Sequence, residues 1–98
     1  MERKSNAEFK VELEARTKTF AASIFRFLDS LPHSASTKVI SYQLGKSASS
    51  IGANYREANR AESVDDFVHK ISIATKEANE TVYWCEVLGE IYKAKINE

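Results

Sequence analysis

Three features of this 98-residue sequence predict an all-α fold, an antiparallel up-down bundle of long helices. One proline and three glycines leave few places to turn. Apolar residues recur every three or four positions over long stretches, and no run alternates with the period of a strand. A serine followed three residues later by an acidic residue occurs just before two of those stretches, at Ser5 and Glu8 and again at Ser63 and Asp66.

The first helix is expected over about residues 7–31. Its capping signal is followed by Phe9, Leu13, Phe20, Ile24, Phe27, Leu28 and Leu31 at helical spacing. Pro32 stops it, because proline lacks the N–H of the next helical bond and its ring collides with the preceding turn. The segment HSAST, residues 33–37, offers caps for a second helix over about 35–62. There Ile40, Leu44, Ala48, Ile51, Tyr55 and Ala58 keep the four-three alternation of a bundle seam. Ser63 and Asp66 open a third helix over about 64–94, with Phe67, Ile71, Ala74, Ala78, Val82, Cys85 and Leu88 on its seam. Connections this short make neighbouring helices antiparallel, and the whole chain reads as one domain.

Two patterns point to an interface. On helix three a second apolar row, Ile73, Trp84, Val87 and Ile91, is rotated away from the first. A three-helix core cannot cover both, so a further helix or another subunit is expected to take up the remainder. On helix two, Gly45, Ser49 and Gly52 form a smooth strip ending at Arg56. Two glycines inside a helix cost about 1 kcal/mol each relative to alanine, which a close helix crossing, within or between subunits, offsets. Beside the strip, Gln43, Ser47, Ser50, Asn54 and Glu57 repeat the same spacing, which fits either a hydrogen-bonded subunit contact or a solvated face. The expected crossing or oligomer residues are therefore Gly45, Ser49, Gly52, Asn54, Trp84, Val87 and Ile91.

Composition narrows the function classes. Fourteen basic side chains balance fourteen acidic ones, so no bulk charge draws the chain to nucleic acid or an anionic membrane. No apolar run approaches the ~20 residues of a membrane span, and the N-terminal MERKSNAEFKVELEART has no signal-peptide core. A cytoplasmic protein without a membrane partner is expected. Cys85, the single cysteine, reads as an inert core thiol. One Asp66-x-x-His69 pair falls short of the two Glu-x-x-His pairs of a di-metal bundle, and SIGAN lacks the lysine and strand of a phosphate loop. Neither cofactor nor catalysis is expected.

For phosphate contact the candidates are Lys46, Arg56 and Arg60. If the turn at Glu62 and Ser63 is tight, the numbers of facing residues on helices two and three add to about 125. Lys46 then lies near Glu80 and Arg60 near Asp65 and Asp66. Arg56 faces His69 and is left as the unpaired cation.

The segments SIGANYREA, DFVHK and EANETVYW, in this order within residues 46–84, carry a further message, and the less specific RTKTFAASIFRFLDSLP adds to it. Together they resemble the small bacterial proteins of the 23S rRNA-intervening-sequence family. The accessory variability protein of diversity-generating retroelements shares that fold. The resemblance implies a four-helix bundle that assembles as a homopentamer and has no enzymatic activity. The family pattern continues into a fourth helix where this chain stops at KAKINE, so that helix is expected to be absent or shortened, with a dimer as the fallback assembly. The retroelement relatives are markedly basic and this chain is neutral. The expected function is a non-enzymatic oligomeric scaffold or adaptor with a protein partner. The alternative is an RNA- or DNA-binding accessory module that uses the basic side chains of helix two and binds weakly.

Overall fold

The computed structural model describes residues 4–96. Three helices, α1 (Asn6–Asp29), α2 (Ala35–Asn59) and α3 (Val64–Ile96), make an all-α bundle with no strand among the described residues. Each start is capped by a serine. The Ser5 hydroxyl accepts the Glu8 N–H at 3.1 Å, and the Ser63 hydroxyl accepts the Asp66 N–H at 3.0 Å. The reciprocal capping box forms at Ser34 and Thr37, where each side-chain oxygen accepts the other's backbone N–H. Thr37 also donates to the Pro32 carbonyl at 2.7 Å, which ties the α1–α2 turn to the start of α2.

α2 is the middle of the molecule. α1 and α3 pack on opposite sides of it and do not pack on each other along their backbones. α1 lies in the smooth strip. A Cβ at position 52 would stand 2.8 Å from Thr17 Oγ1 and 3.0 Å from Thr17 Cβ, and one at position 45 would stand 2.8 Å from the Phe25 ring. The close crossing at Gly45 and Gly52 is thus made inside the subunit. At the far end of α2, the Asn59 amide donates to Glu14 at 3.0 Å. Facing numbers fall along α1 as they rise along α2, so the two helices are antiparallel.

α3 packs through a strict heptad, Ala74, Thr81 and Leu88, all buried. Thr81 Oγ1 donates to Ser47 Oγ at 3.0 Å between α2 and α3, and both residues are buried. This pair adds to 128, about three more than a tight turn gives. The connection after Asn59 runs on in the direction of α2 before the chain reverses, so the first turn of α3 overhangs the end of α2. Val64 (78%) and Val68 are exposed there, while Val64 and Phe67 line a shallow hollow with Lys10 of α1 and Ala58 and Asn59 of α2.

The core gathers Leu28, Ile40, Leu44 and Leu88, with Ile24, Leu31, Trp84, Val87, Ile91 and Tyr92 packed around it. Trp84, Val87 and Ile91 are half-buried against their own subunit, whereas Phe67, Val82 and Cys85, expected on the seam, are exposed. Helix three is rotated relative to expectation because close packing on α2 selects its small residues. The resulting body measures 51 × 32 × 19 Å, long and flattened, and the 33 residues of α3 span its length at 1.5 Å each.

Candidate functional site

The flattened arrangement leaves one face open. Leu44 of α2, wholly buried, forms the floor of an apolar groove of about 360 Å³. Ile24 and Phe27 of α1 make one wall. Cys85, Leu88, Gly89 and Tyr92 of α3 make the other. By helical spacing Phe20 and Leu13 on α1 and Val82, Ala78 and Ile71 on α3 lie on the same helix faces as these wall residues. Phe27 is 47% exposed and Val82 55%. The groove is open on one side between α1 and α3, and its lining is apolar.

The groove holds no constellation for bond making. Cys85 is exposed on its wall and is no core thiol, and partial burial among apolar neighbours pushes the thiol pKa up, away from the nucleophilic thiolate. Gly89 differs from the other two glycines. No heavy atom lies within 4 Å of where its Cβ would be, so the subunit itself has no steric need of it. Sequence reasoning passed it over, although Phe67, Ile71, Ala78, Val82 and Cys85 already marked a row that Gly89 and Tyr92 continue.

The three basic candidates sit apart, each with its own partner. The Lys46 ammonium lies 5.9 Å over the Tyr42 ring and not beside Glu80. Arg56 approaches Glu14 of α1, Nε to Oε1 at 3.6 Å, so it is not the unpaired cation that the two-helix register gives. Arg60 donates to the Arg56 carbonyl at 3.2 Å and makes no ion pair with Asp65 or Asp66. The error has two causes: the register is shifted by about three residues, and α1 supplies a carboxylate that α2 and α3 alone do not contain. The ion pairs among the described residues are Arg56–Glu14 and the exposed Lys4–Glu12, where the lysine bonds the carboxylate and holds Glu12 below its usual pKa.

Three members of the polar row, Ser47, Ser50 and Asn54, bond within the subunit. Ser47 bonds Thr81, Ser50 donates to the Lys46 carbonyl at 2.7 Å, and Asn54 donates to the Ser50 carbonyl at 2.8 Å. Ser49 donates to the Gly45 carbonyl at 2.8 Å. Asn59 Oδ1 and Trp84 Nε1 are buried without a partner. Among the described residues no group of three His, Cys, Asp or Glu could hold a metal ion, and no helix is long and apolar enough to cross a membrane.

A crystal structure of a protein of unknown function from the S23 ribosomal protein family of Bacteroides thetaiotaomicron is similar to this one. The two are 40% identical over 84% of this chain and 73% of that chain, with a TM-score of 0.74. No curated protein matches. The family model of 23S rRNA-intervening sequence proteins matches residues 9–97, from the first phenylalanine of the α1 wall to beyond the end of α3. All of α2 and α3, α1 from Phe9 onward, the groove and the glycine strip fall inside that match, and the chain belongs to the 23S rRNA-intervening sequence protein family.

Proposed function

We propose that the protein is a non-enzymatic, self-associating helical scaffold that works in the cytoplasm through a protein partner. The observation that carries this reading is the surface of the subunit. It exposes 7290 Å² at 11.0 kDa, whereas a compact monomer of that mass exposes about 5,600 Å². Its radius of gyration is 16.2 Å against about 13 Å for a compact domain of this length. The excess of about 1,700 Å² is twice the ~800 Å² that each partner gives to a standard interface. Large apolar side chains contribute to that surface, Phe9, Phe20, Phe27, Val82 and Tyr83 among them, each at least 40% exposed. The family resemblance favours a pentamer, with a dimer as the smaller alternative. Light scattering across a concentration series tests the reading, and a strictly monomeric species at the highest attainable concentration defeats it.

A second reading, weak RNA binding, is favoured by Lys46 and Arg60, both exposed and outside the two ion pairs, and by the ribosomal names of the family and of its Bacteroides neighbour. A few phosphate contacts per subunit give weak, salt-sensitive binding that gains avidity only in an oligomer. Filter binding of long and short RNA over a salt series, with Lys46→Glu and Arg60→Glu, decides between the two. Tight binding that survives high salt promotes RNA over scaffold. Arg56→Glu is expected to act on the α1–α2 contact instead, by placing two carboxylates together.

A further inference from the structure

We infer that the hollow at the α1–α2 turn is where the scaffold's protein partner docks, and that the partner brings an acidic segment carrying one aromatic or large aliphatic anchor. The inference rests on the scaffold reading and deepens it by naming the partner's chemistry and its seat. The hollow measures about 920 Å³, within the range of pockets that take up ligands. All its lining lies within residues 25–42, so its walls do not depend on α3 or on what covers the α1–α3 groove. Leu28, Leu31 and Pro32 give it an apolar lining, to which Phe25 of α1 and Tyr42 of α2 add two aromatic rings.

Two observations favour this occupant. First, the Phe25 ring rests where a Cβ at position 45 would stand, 2.8 Å from it. The ring is nearly half exposed, so its seat contributes little to folding, yet Gly45 weakens α2 by about 1 kcal/mol relative to alanine. What the bare backbone secures is the ring's place in the lining of the hollow, and an apolar side chain entering from a partner gains from a ring held ready. Second, the sequence from Ser30 to Arg56 contains no acidic residue, and of its Lys38, Lys46 and Arg56 only Arg56 is in an ion pair among the described residues. Lys38 lines the hollow, and Lys46 lies over the ring of Tyr42. One carboxylate, Asp29, is in the lining on the α1 side. The α2 side therefore draws negative charge while the apolar lining takes hydrocarbon, and an acidic segment with an anchor supplies both. A nucleotide's phosphate meets the same lysines, but the side chains of Leu28, Leu31 and Pro32 offer the edge of its base no hydrogen bond.

The test uses the whole chain and a fluorescein-labelled peptide of glutamates around a single tryptophan. A peptide with lysine for glutamate and one with alanine for tryptophan are the comparisons. Fluorescence anisotropy reads binding, circular dichroism the fold, and light scattering the assembly. The acidic tryptophan peptide is expected to bind, and each comparison peptide to bind about tenfold more weakly or worse. Gly45→Ala, which displaces the Phe25 ring, and Lys38→Glu should each weaken binding by about tenfold, whereas Val68→Glu, at an exposed position on α3 outside the lining, should not. Phe25→Ala removes the same ring and decides if Gly45→Ala does not fold. No binding of the acidic peptide at about millimolar concentration, equal binding of the three peptides, or binding that the folded lining variants keep overturns the inference, while an oligomer in light scattering leaves the scaffold reading standing. Adenosine monophosphate or single-stranded RNA that binds more tightly than the peptide and is lost with Phe25→Ala gives the hollow to a nucleotide, which also overturns it. A monomer that binds the peptide as expected removes self-association and keeps the inference.

Discussion

Two glycines of the same strip are expected to behave differently on substitution. At position 52 the added methyl meets Thr17 at its Cβ and Oγ1, atoms held close to the α1 backbone, so α1 itself has to move. Gly52→Ala should cost about 1 kcal/mol despite the gain in helix propensity, and Gly52→Leu should cost more, about 1–3 kcal/mol. At position 45 the methyl meets the outer edge of the Phe25 ring, which is 46% exposed and free to swing away. Gly45→Ala should be close to neutral, and urea denaturation of the pair measures the contrast. The buried hydroxyl pair behaves as a unit. Thr81→Val removes the donor to Ser47 and should cost about 1 kcal/mol, while adding Ser47→Ala should cost less than the two single changes together, because no acceptor is then left unpaired. A double-mutant cycle in urea checks this. The glycine strip was readable because two glycines inside a helix demand an explanation. Gly89 was not, since its meaning depends on the absence of neighbours, which no spacing reveals.

At the scale of the helices, the starts were readable and the rotations were not. Ser5 and Ser63 cap where their spacing to Glu8 and Asp66 indicates, because capping is a local matter of three residues. Ser34, whose reciprocal box with Thr37 contains no acidic residue, is the strongest of the three, and Ser34→Ala should cost about 1 kcal/mol in thermal or urea unfolding. The seam of α3 was misread because its bulky apolar residues flank the contact instead of filling it. Ala74 and Leu88 of the expected seam do face α2, but between them the contact is made by Thr81, which hydrophobicity alone passes over for Val82. The charge pairing failed at the same level: Arg56 answers to Glu14, and that partner comes from the helix that the α2–α3 register does not include.

For the molecule as a whole, the proposed self-association would couple stability to concentration. Anything that binds the folded subunit alone raises its melting temperature by mass action. Calorimetry of wild type over a hundredfold range of concentration, about the span needed to see ~2.7 kcal/mol of linkage, should show a rising midpoint. A further consequence follows from α2 standing between two helices that do not pack on each other along their backbones. Helix packing joins only neighbours along the chain, so little loop entropy opposes each docking step, and the protein should fold in the microsecond-to-millisecond range of low-contact-order helical domains. The same arrangement lets α1 lift away while α2 and α3 remain paired. In native-state hydrogen exchange the amides of α1 should open as a cooperative group at lower free energy than those around Ser47 and Thr81, the first part of the molecule to leave and the last to arrive.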